Sequence, residues 1–416
     1  MKPKVMHLDN GLTVINANHS YSEFVYISML VNVGPKNENK AENGLSHFVE
    51  HAVFLGTERC RKRKVDHKMA KLGTHFSAET GDYYTRYDIV VLKTYALAAI
   101  ELLADMLLHP CFPEQEIAKE KKVIIQESID TEEQDIMNHA FASIVFNDKP
   151  WHLNVCGPHQ NIKDFSRNDI HDFWQRFYTA PNSILTFSGA LDDETAYELA
   201  EKYFSEMSSA PVKQPQKLPY LGGMPTYTSE MEGMCFALGF NMTDERKSMV
   251  GSLILEALGG SYYSRLLQQI REKRGLVYSI GAKMERYYHA DLMIVEAYTS
   301  AENFNKVLAL TCENILKLQE TTISQQELNL VKQRVYIDFA RSLDDFVSCG
   351  NFYQTSYLFD GRCLSSEEIY HKIYNVSRNE FRSMAEKIFQ TPVAYAIEGC
   401  SKGYMPYNMV RNLLRK

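Results

Sequence analysis

The sequence has no apolar run that approaches the roughly 20 residues needed to span a bilayer. Residues 1–7 also lack the apolar core of a secretory signal and the Arg- and Ser-rich composition of an organelle presequence. Provided that Met1 is the native start, these two absences predict a cytoplasmic protein with no membrane partner.

Two further absences concern charge and thiol chemistry. The chain has no excess of positive charge, because its net charge is −7 at pH 7, so no nucleic-acid partner is expected. It also has no Cys-x-x-Cys pair, and its eight cysteines are widely spread. This spacing is typical of reduced thiols in a reducing compartment. The even count leaves a disulfide framework as the less favoured alternative.

The length of the chain predicts two domains. A chain of 416 residues exceeds what one hydrophobic core supports. Residues 206–220 contain three prolines and two serines and form the best candidate linker. Strands and helices follow in a similar order on both sides of it. We therefore expect an α+β protein with two tandem, structurally similar α/β-sandwich domains at 1–205 and 221–416, each a mainly antiparallel sheet flanked by helices.

One helical segment combines an apolar surface with ionisable side chains. Asn43 is a suitable N-cap and Gly56 a suitable C-terminal stop, so a three-turn helix is expected between them. Apolar residues cover most of its circumference, which indicates burial. His47, Glu50 and His51 share one strip, and a buried charge needs a partner or a metal. The spacing His-x-x-Glu-His is that of inverted zincins, in which both His bind zinc and the Glu is the base.

A catalytic zinc takes three protein ligands, so a third must come from another part of the chain. The helix predicted at 113–132 offers Glu120 and Glu127, which are seven residues apart and therefore on the same face. The apolar residues between them predict that this helix is buried. Two carboxylates in such a setting repel each other unless a cation lies beside them. From the residues alone, both remain candidates for the third ligand.

At this point the sequence resembles the pitrilysin, insulysin and mitochondrial processing peptidase family of inverted zincins. The resemblance covers essentially the whole chain and is closest to the half-length, two-domain branch whose members pair two chains. The matching sequence segments are GLSHFVEH at 44–51, FLGT at 54–57, EKKVIIQE at 120–127, LGG at 258–260, SRL at 264–266 and REKRGLVYS at 271–279. The second half has no His-x-x-Glu-His.

The resemblance assigns roles to individual residues. It implies that Glu127 is the third zinc ligand and that Glu120 orients a His ligand from outside the coordination sphere. It also implies that Arg271 and Tyr278 contact the substrate near the scissile bond. Family members bind substrate as an added strand, and here that edge would lie at Ser77, Ala78 and Glu79. The family usually has Asn in place of Ser77 and often an aromatic in place of Glu79, which puts the substrate preference in question.

The implied function is a zinc-dependent endopeptidase that cleaves short or unfolded peptides inside a closed chamber. One Zn²⁺ per chain would be held by His47, His51 and Glu127, with Glu50 as general base and Tyr278 stabilising the oxyanion. A dedicated processing peptidase for a specific precursor or leader peptide is the first alternative. An inactive partner or core subunit of the family is another, and a plain peptide-binding module is a third.

Assembly and substrate preference have alternatives of their own. Because this chain carries both the zinc residues and the Arg271–Tyr278 pair, a homodimer with active sites completed in trans is expected, and a heterodimer is the alternative. A basic run at 59–64 is either a solvated helix face or a positive rim that favours acidic stretches of a substrate.

Overall fold

The computed structural model describes residues 2–73, 76–132, 155–216, 219–224, 233–242, 249–286, 290–399 and 403–415. These residues divide into two compact units. The first takes the described residues of 1–134, 153–216 and 340–366, and the second takes those of 217–339 and 367–416. The predicted α+β class with two antiparallel-rich sheets is confirmed.

A six-stranded sheet forms the centre of the first unit, in the order β1-β2-β6-β3-β5-β4. The β2–β6 pair is parallel and the other pairs are antiparallel. The strands are β1 Lys4–His7, β2 Thr13–Asn18, β3 Phe24–Val31, β4 Phe76–Thr80, β5 Thr85–Leu92 and β6 Ser183–Gly189. β4 lies at one edge of this sheet, as expected for the segment predicted to receive a substrate strand.

Seven helices precede the linker in the described part of the first unit. They are α1 Leu45–Ala52, α2 Lys62–Lys71, α3 Ala96–Leu108, α4 Glu114–Glu132, α5 His159–Asp164, α6 Arg167–Phe177 and α7 Asp193–Phe204. Most apolar positions of α1 and α3 are buried in the same core as the inward side chains of β3 and β5. α1 is thereby fixed against the sheet, which positions the ionisable side chains that it carries.

A helix from late in the sequence covers the opposite face of this sheet. Helix α10 spans Gln325–Asp344, and α11 (Phe346–Asp360), which follows it, contacts β2, β3 and β6. The buried amide of Gln354 donates from Nε2 to the carbonyl oxygens of Ser28 (3.2 Å) and Ile184 (3.1 Å). The linker position predicted a second domain that comprises all of 221–416. The structure differs, because α11 belongs to the first unit and packs on its sheet.

The second unit contains a four-stranded antiparallel sheet in the order β10-β7-β9-β8. Its strands are β7 Met234–Asn241, β8 Ser279–Arg286, β9 Asp291–Thr299 and β10 Ala394–Glu398. Its helices, besides α10, are α8 Val250–Leu255, α9 Phe304–Glu320, α12 Ser366–Tyr374, α13 Arg378–Phe389 and α14 Tyr407–Leu413, with π-helical turns at Glu256–Gly260 and Leu267–Glu272.

The linker, the cysteines and the apolar character of the helices can also be compared with what the sequence predicts. The linker predicted at 206–220 has no helix or strand in its described residues. The described cysteines are all free thiols, and Cys400 lies outside the described residues. None of the described helices has both the length and the apolar character needed to cross a membrane.

Candidate metal centre

The start of α1 is held by a carboxylate that precedes it in sequence. Glu38 is buried, and its carboxylate accepts hydrogen bonds from the backbone N–H groups of Gly44 (2.9 Å) and Ser46 (2.6 Å). It also accepts one from the side-chain amide of Asn43, at 3.0 Å. The expectation that Asn43 caps the helix is therefore wrong. Gly44 occupies the N-cap with φ 102°. Glu38 accepts from the N–H of Ser46, at the second helical position, which an N-cap side chain would otherwise take.

Every residue of α1 except His51 is buried. His47 and Glu50 are buried, and His51 is partly exposed. Their neighbours Phe48 and Val49 have no exposed surface and anchor the helix in the core. The helix therefore presents three ionisable groups from a rigid apolar support.

Glu127 of α4 faces the two histidines. Its Oε1 is 3.8 Å from Nε2 of His47, and its Oε2 is 3.4 Å from Nε2 of His51. One ligand atom from each of the three residues lies within 4.8 Å of the others. No second group of three His, Cys, Asp or Glu side chains meets this criterion in the described part of the chain.

Glu120 is not one of these three residues but contacts His51. Its Oε1 is 2.9 Å from Nδ1 of His51, on the side of the ring opposite Nε2. Burial lowers the pKa of His51, but Glu120 and Glu127 outweigh it and raise that pKa to about 9. The hydrogen bond with His51 lowers the pKa of both carboxyl groups. The carboxylates are therefore ionised, and Glu120 fixes the ring of His51.

His47 has the opposite environment. Burial, with a smaller contribution from the neighbouring His51, lowers its pKa to about 4. Its ring is neutral at physiological pH, and a neutral imidazole is the form that binds metals. Nδ1 of His47 is buried and has no hydrogen-bond partner among the described residues. Two imidazoles and one carboxylate form a donor set that fits Zn²⁺ with an open fourth position.

Glu50 is held by a residue that the sequence analysis did not single out. The hydroxyl of Thr80 donates a 2.6 Å hydrogen bond to Oε2 of Glu50. Burial raises the pKa of Glu50, and the hydrogen bond from Thr80 opposes that rise. Strand alternation could have identified Thr80, because Phe76, Ala78 and Thr80 are the less exposed positions of β4.

The predicted substrate edge lies on β4. Ser77 and Glu79 are exposed, while Ala78 is partly buried. Glu79 pairs with Arg86, its cross-strand neighbour, at 2.8 Å, and accepts a hydrogen bond from Tyr84 Oη at 3.2 Å. An aromatic side chain could not form this ion pair, so Glu79 gives the edge an acidic group.

The remaining predicted site residues belong to the second unit. Arg271 lies in the π-helical turn Leu267–Glu272, and Tyr278 directly precedes β8. Tyr278 is 79% exposed, so it is a surface residue and not the half-buried one that burial preferences favour. Its ring contacts Tyr298 edge-on at 6.1 Å. Both predicted substrate contacts are accessible within their own unit.

His75, His139, His152, His159 and the other remaining histidines have no ligand-like spacing in the sequence, which predicts that they are structural. His159 makes a 2.7 Å contact with the hydroxyl of Ser128, which fits that expectation. His75, His139 and His152 lie outside the described residues.

Comparison with known proteins identifies relatives along nearly the whole chain. Residues 13–159 match the family model described as Insulinase (Peptidase family M16), and residues 164–335 match Peptidase M16 inactive domain. An uncharacterized zinc protease of Rickettsia bellii is 29% identical over 401 residues, which cover 95% of this chain and 97% of the relative.

A further relative and a solved structure are also similar to this chain over most of its length. The mitochondrial-processing peptidase subunit beta of Neurospora crassa is 24% identical over 436 residues, covering 99% of this chain and 90% of that one. The crystal structure of a protease from Helicobacter pylori superposes with a TM-score of 0.84 at 18% identity, over 96% of this chain and 99% of that chain. At that identity the structural likeness demonstrates a shared fold.

Proposed function

Because the chain belongs to peptidase family M16, we propose that it is a zinc-dependent endopeptidase that cleaves short or unfolded peptides inside a closed chamber. One observation carries this proposal. The donor atoms of His47, His51 and Glu127 lie within 4.8 Å of one another, beside the buried carboxylate of Glu50. The curated relative from Rickettsia bellii is named a zinc protease, which agrees with the chemistry of this donor set.

We assign one Zn²⁺ per chain to His47, His51 and Glu127. When bound, zinc supplies a Lewis acid that polarises oxygen in the substrate carbonyl and in water. Glu120 would keep the proton on Nδ1 of His51, so that Nε2 is presented as a donor atom. Its carboxylate is already in hydrogen-bond contact with that nitrogen.

Glu50 is the proposed general base. Oε2 accepts the hydrogen bond from Thr80, so Oε1 remains to take a proton from the attacking water and pass it to the leaving amine. Burial raises the pKa of Glu50, which makes the carboxylate a stronger base than an exposed Glu. A stronger base takes the proton of the attacking water more readily.

The substrate would lie as an added strand along β4. An edge strand offers unpaired backbone groups for this, and alternate substrate side chains would face Ser77 and Glu79 on one side and Ala78 on the other. Arg271 and Tyr278 are the proposed contacts of a substrate carbonyl and the developing oxyanion. Their exposure within the second unit leaves both polar groups available.

We further propose a cytoplasmic homodimer in which each chain completes its partner's site with Arg271 and Tyr278. A heterodimer is the alternative, since one relative is named as a subunit beta. Size exclusion with light scattering separates these states: purified protein with the mass of two chains supports the homodimer. A stable, fully active monomer would contradict trans completion.

Substitution of the base tests the peptidase proposal. Glu50→Gln should retain zinc, measured by metal analysis, and should bind peptides while losing turnover. A mixed peptide library digested by the metal-loaded protein, read by mass spectrometry with a chelator control, would identify the cleaved bonds. Cleavage that persists in Glu50→Gln would contradict the assigned base.

Two alternatives remain within the family. In the same mixed-library digest, a dedicated processing peptidase would cleave one precursor or leader peptide and leave unrelated peptides intact. An inactive partner subunit would cleave none. The matched description "inactive domain" applies to residues 164–335, which do not include His47, Glu50, His51 or Glu127.

A further inference from the structure

A basic groove lies where α2 and α4 begin. Its volume is about 880 Å³. Four cationic side chains line it: Arg61, Lys62 and Arg63 at the start of α2, and Arg167 at the start of α6. The lining is held in place by backbone contacts, because Gly56 and Arg61 form an antiparallel bridge. The guanidinium of Arg167 donates to the carbonyl oxygens of Phe112 (3.1 Å) and Cys111 (3.2 Å).

Positively charged side chains outnumber carboxylates in this groove by four to two. Across the residues that the structure describes, none of the four cations forms an ion pair with a carboxylate. The groove has two carboxylates of its own, Glu114 and Glu116, and Glu116 is paired with Lys119 at 2.7 Å. The guanidinium groups of Arg61 and Arg63 are exposed and can each bind a carboxylate in a bidentate manner.

The groove continues the face of α4 that carries the candidate metal centre. Glu116 lines the groove, and Glu120 and Glu127 follow it on the same face, four and eleven residues further along the helix. Lys62 lies close enough to Glu120 for an electrostatic interaction. With a rise of 1.5 Å per residue, Glu116 and Glu127 are about 16 Å apart along the helix. An extended peptide covers this distance in about five residues.

We infer that this groove binds an acidic segment of the peptide substrate, centred about five residues from the scissile bond. The inference rests on the proposed peptidase function and adds a substrate class to it. Two or three carboxylates of such a segment would meet Arg61, Arg63 and Arg167. Contacts of this type are partly solvated and sensitive to salt, so they would act mainly on substrate affinity.

A matched pair of peptides tests the inference on the zinc-loaded, full-length protein. The two share length and cleavage sequence and differ in a Glu-Glu or Gln-Gln pair placed about five residues from the scissile bond. We expect a KM about tenfold lower for the Glu-Glu peptide, equivalent to about 1.4 kcal/mol, with similar kcat. The difference should shrink as salt rises from about 0.05 M to about 0.5 M.

Two double variants locate the effect. Arg61→Gln with Arg63→Gln should remove the preference for the Glu-Glu peptide and leave cleavage of the Gln-Gln peptide within about twofold of wild type. Lys68→Gln with Lys71→Gln is the control, since it removes the same charge from the last turn of α2. Equal KM values for both peptides in the wild type, or equal losses in both double variants, would overturn the inference.

Turnover and binding are measured separately so that two failures can be distinguished. The labelled peptides are also titrated onto zinc-loaded Glu50→Gln protein by fluorescence anisotropy. A binding preference for Glu-Glu without any cleavage by wild type would support the groove and contradict the peptidase proposal. Cleavage of both peptides without a binding preference would support the peptidase proposal and contradict the role of the groove.

Discussion

Thr80 Oγ1 donates a 2.6 Å hydrogen bond to Oε2 of Glu50. This contact joins the edge strand β4 to helix α1 of the candidate metal centre. The residue proposed as base is therefore oriented by the same strand that is proposed to receive the substrate. A substitution that removes the Thr80 hydroxyl changes the environment of the base and leaves the proposed donor set of the metal unchanged.

We predict that Thr80→Val lowers kcat about tenfold with little change in KM, because a hydrogen bond to a charged group is lost. Burial has already raised the pKa of Glu50, and the Thr80 hydroxyl opposes that rise. Removing the hydroxyl should raise the pKa further and shift the acid limb of the kcat/KM profile to higher pH. Thr80→Ser keeps the donor and should retain the wild-type profile. An unshifted profile in Thr80→Val would contradict this role.

Zinc binding should release protons near neutral pH. The pKa of His51 is raised to about 9, so both of its ring nitrogens are protonated in the metal-free protein near neutral pH. Nδ1–H stays bonded to Glu120, and Nε2 must lose its proton before it can bind zinc. The pKa of His47 is lowered to about 4, so His47 has no proton to release. We expect about one proton released per zinc. Calorimetry in buffers of different ionisation enthalpy measures this number, and zero release would be inconsistent with it.

Removal of the Glu120 carboxylate should weaken zinc binding. Outer partners of a ligating His typically contribute about 10- to 100-fold in metal affinity, and Glu120 is 2.9 Å from His51. Glu120→Gln should therefore raise the zinc Kd within that range, as measured by competition with a chelator. Glu116→Gln, one turn earlier on α4, is the matched control and should leave the Kd unchanged. Similar Kd values for the two variants would argue against the assigned role.

Loss of Glu38 should destabilise the protein. Its carboxylate accepts hydrogen bonds from two backbone N–H groups at the start of α1, and Ala would leave both buried donors unpaired. We expect Glu38→Ala to lower the free energy of unfolding by about 2–4 kcal/mol in urea titrations. Glu42→Ala removes a surface ion pair with Arg176 and should cost less than about 1 kcal/mol. Comparable losses in the two variants would contradict the capping role.

The sequence contained enough information to predict much of this site. His47, Glu50 and His51 share one strip because helical spacing is regular, and the family spacing pointed to Glu127. The structure brings His47, His51 and Glu127 together, while their role as zinc ligands stays a prediction. Sequence periodicity could not identify Glu38, because it contacts α1 from a loop with no repeating pattern.

The position of α11 was also beyond sequence reasoning. Dividing the chain at its linker assumes that each half packs only against itself. Phe346–Asp360 instead contacts a sheet whose strands lie in the first half of the sequence. The buried partners of Gln354 are backbone carbonyls. Every residue has such a carbonyl, so residue type gives no indication of this contact. Only tertiary structure reveals such a contact.

The position of α11 also has a consequence for synthesis on the ribosome. The hydrogen bond from Tyr26 Oη to Asn351 joins residues 325 positions apart. Nascent chains that have emerged only as far as the linker leave one face of the first sheet without its covering helix. The first unit can therefore reach its native packing only after most of the protein has been translated. A truncated message would yield a fragment that carries His-x-x-Glu-His but exposes one face of its sheet.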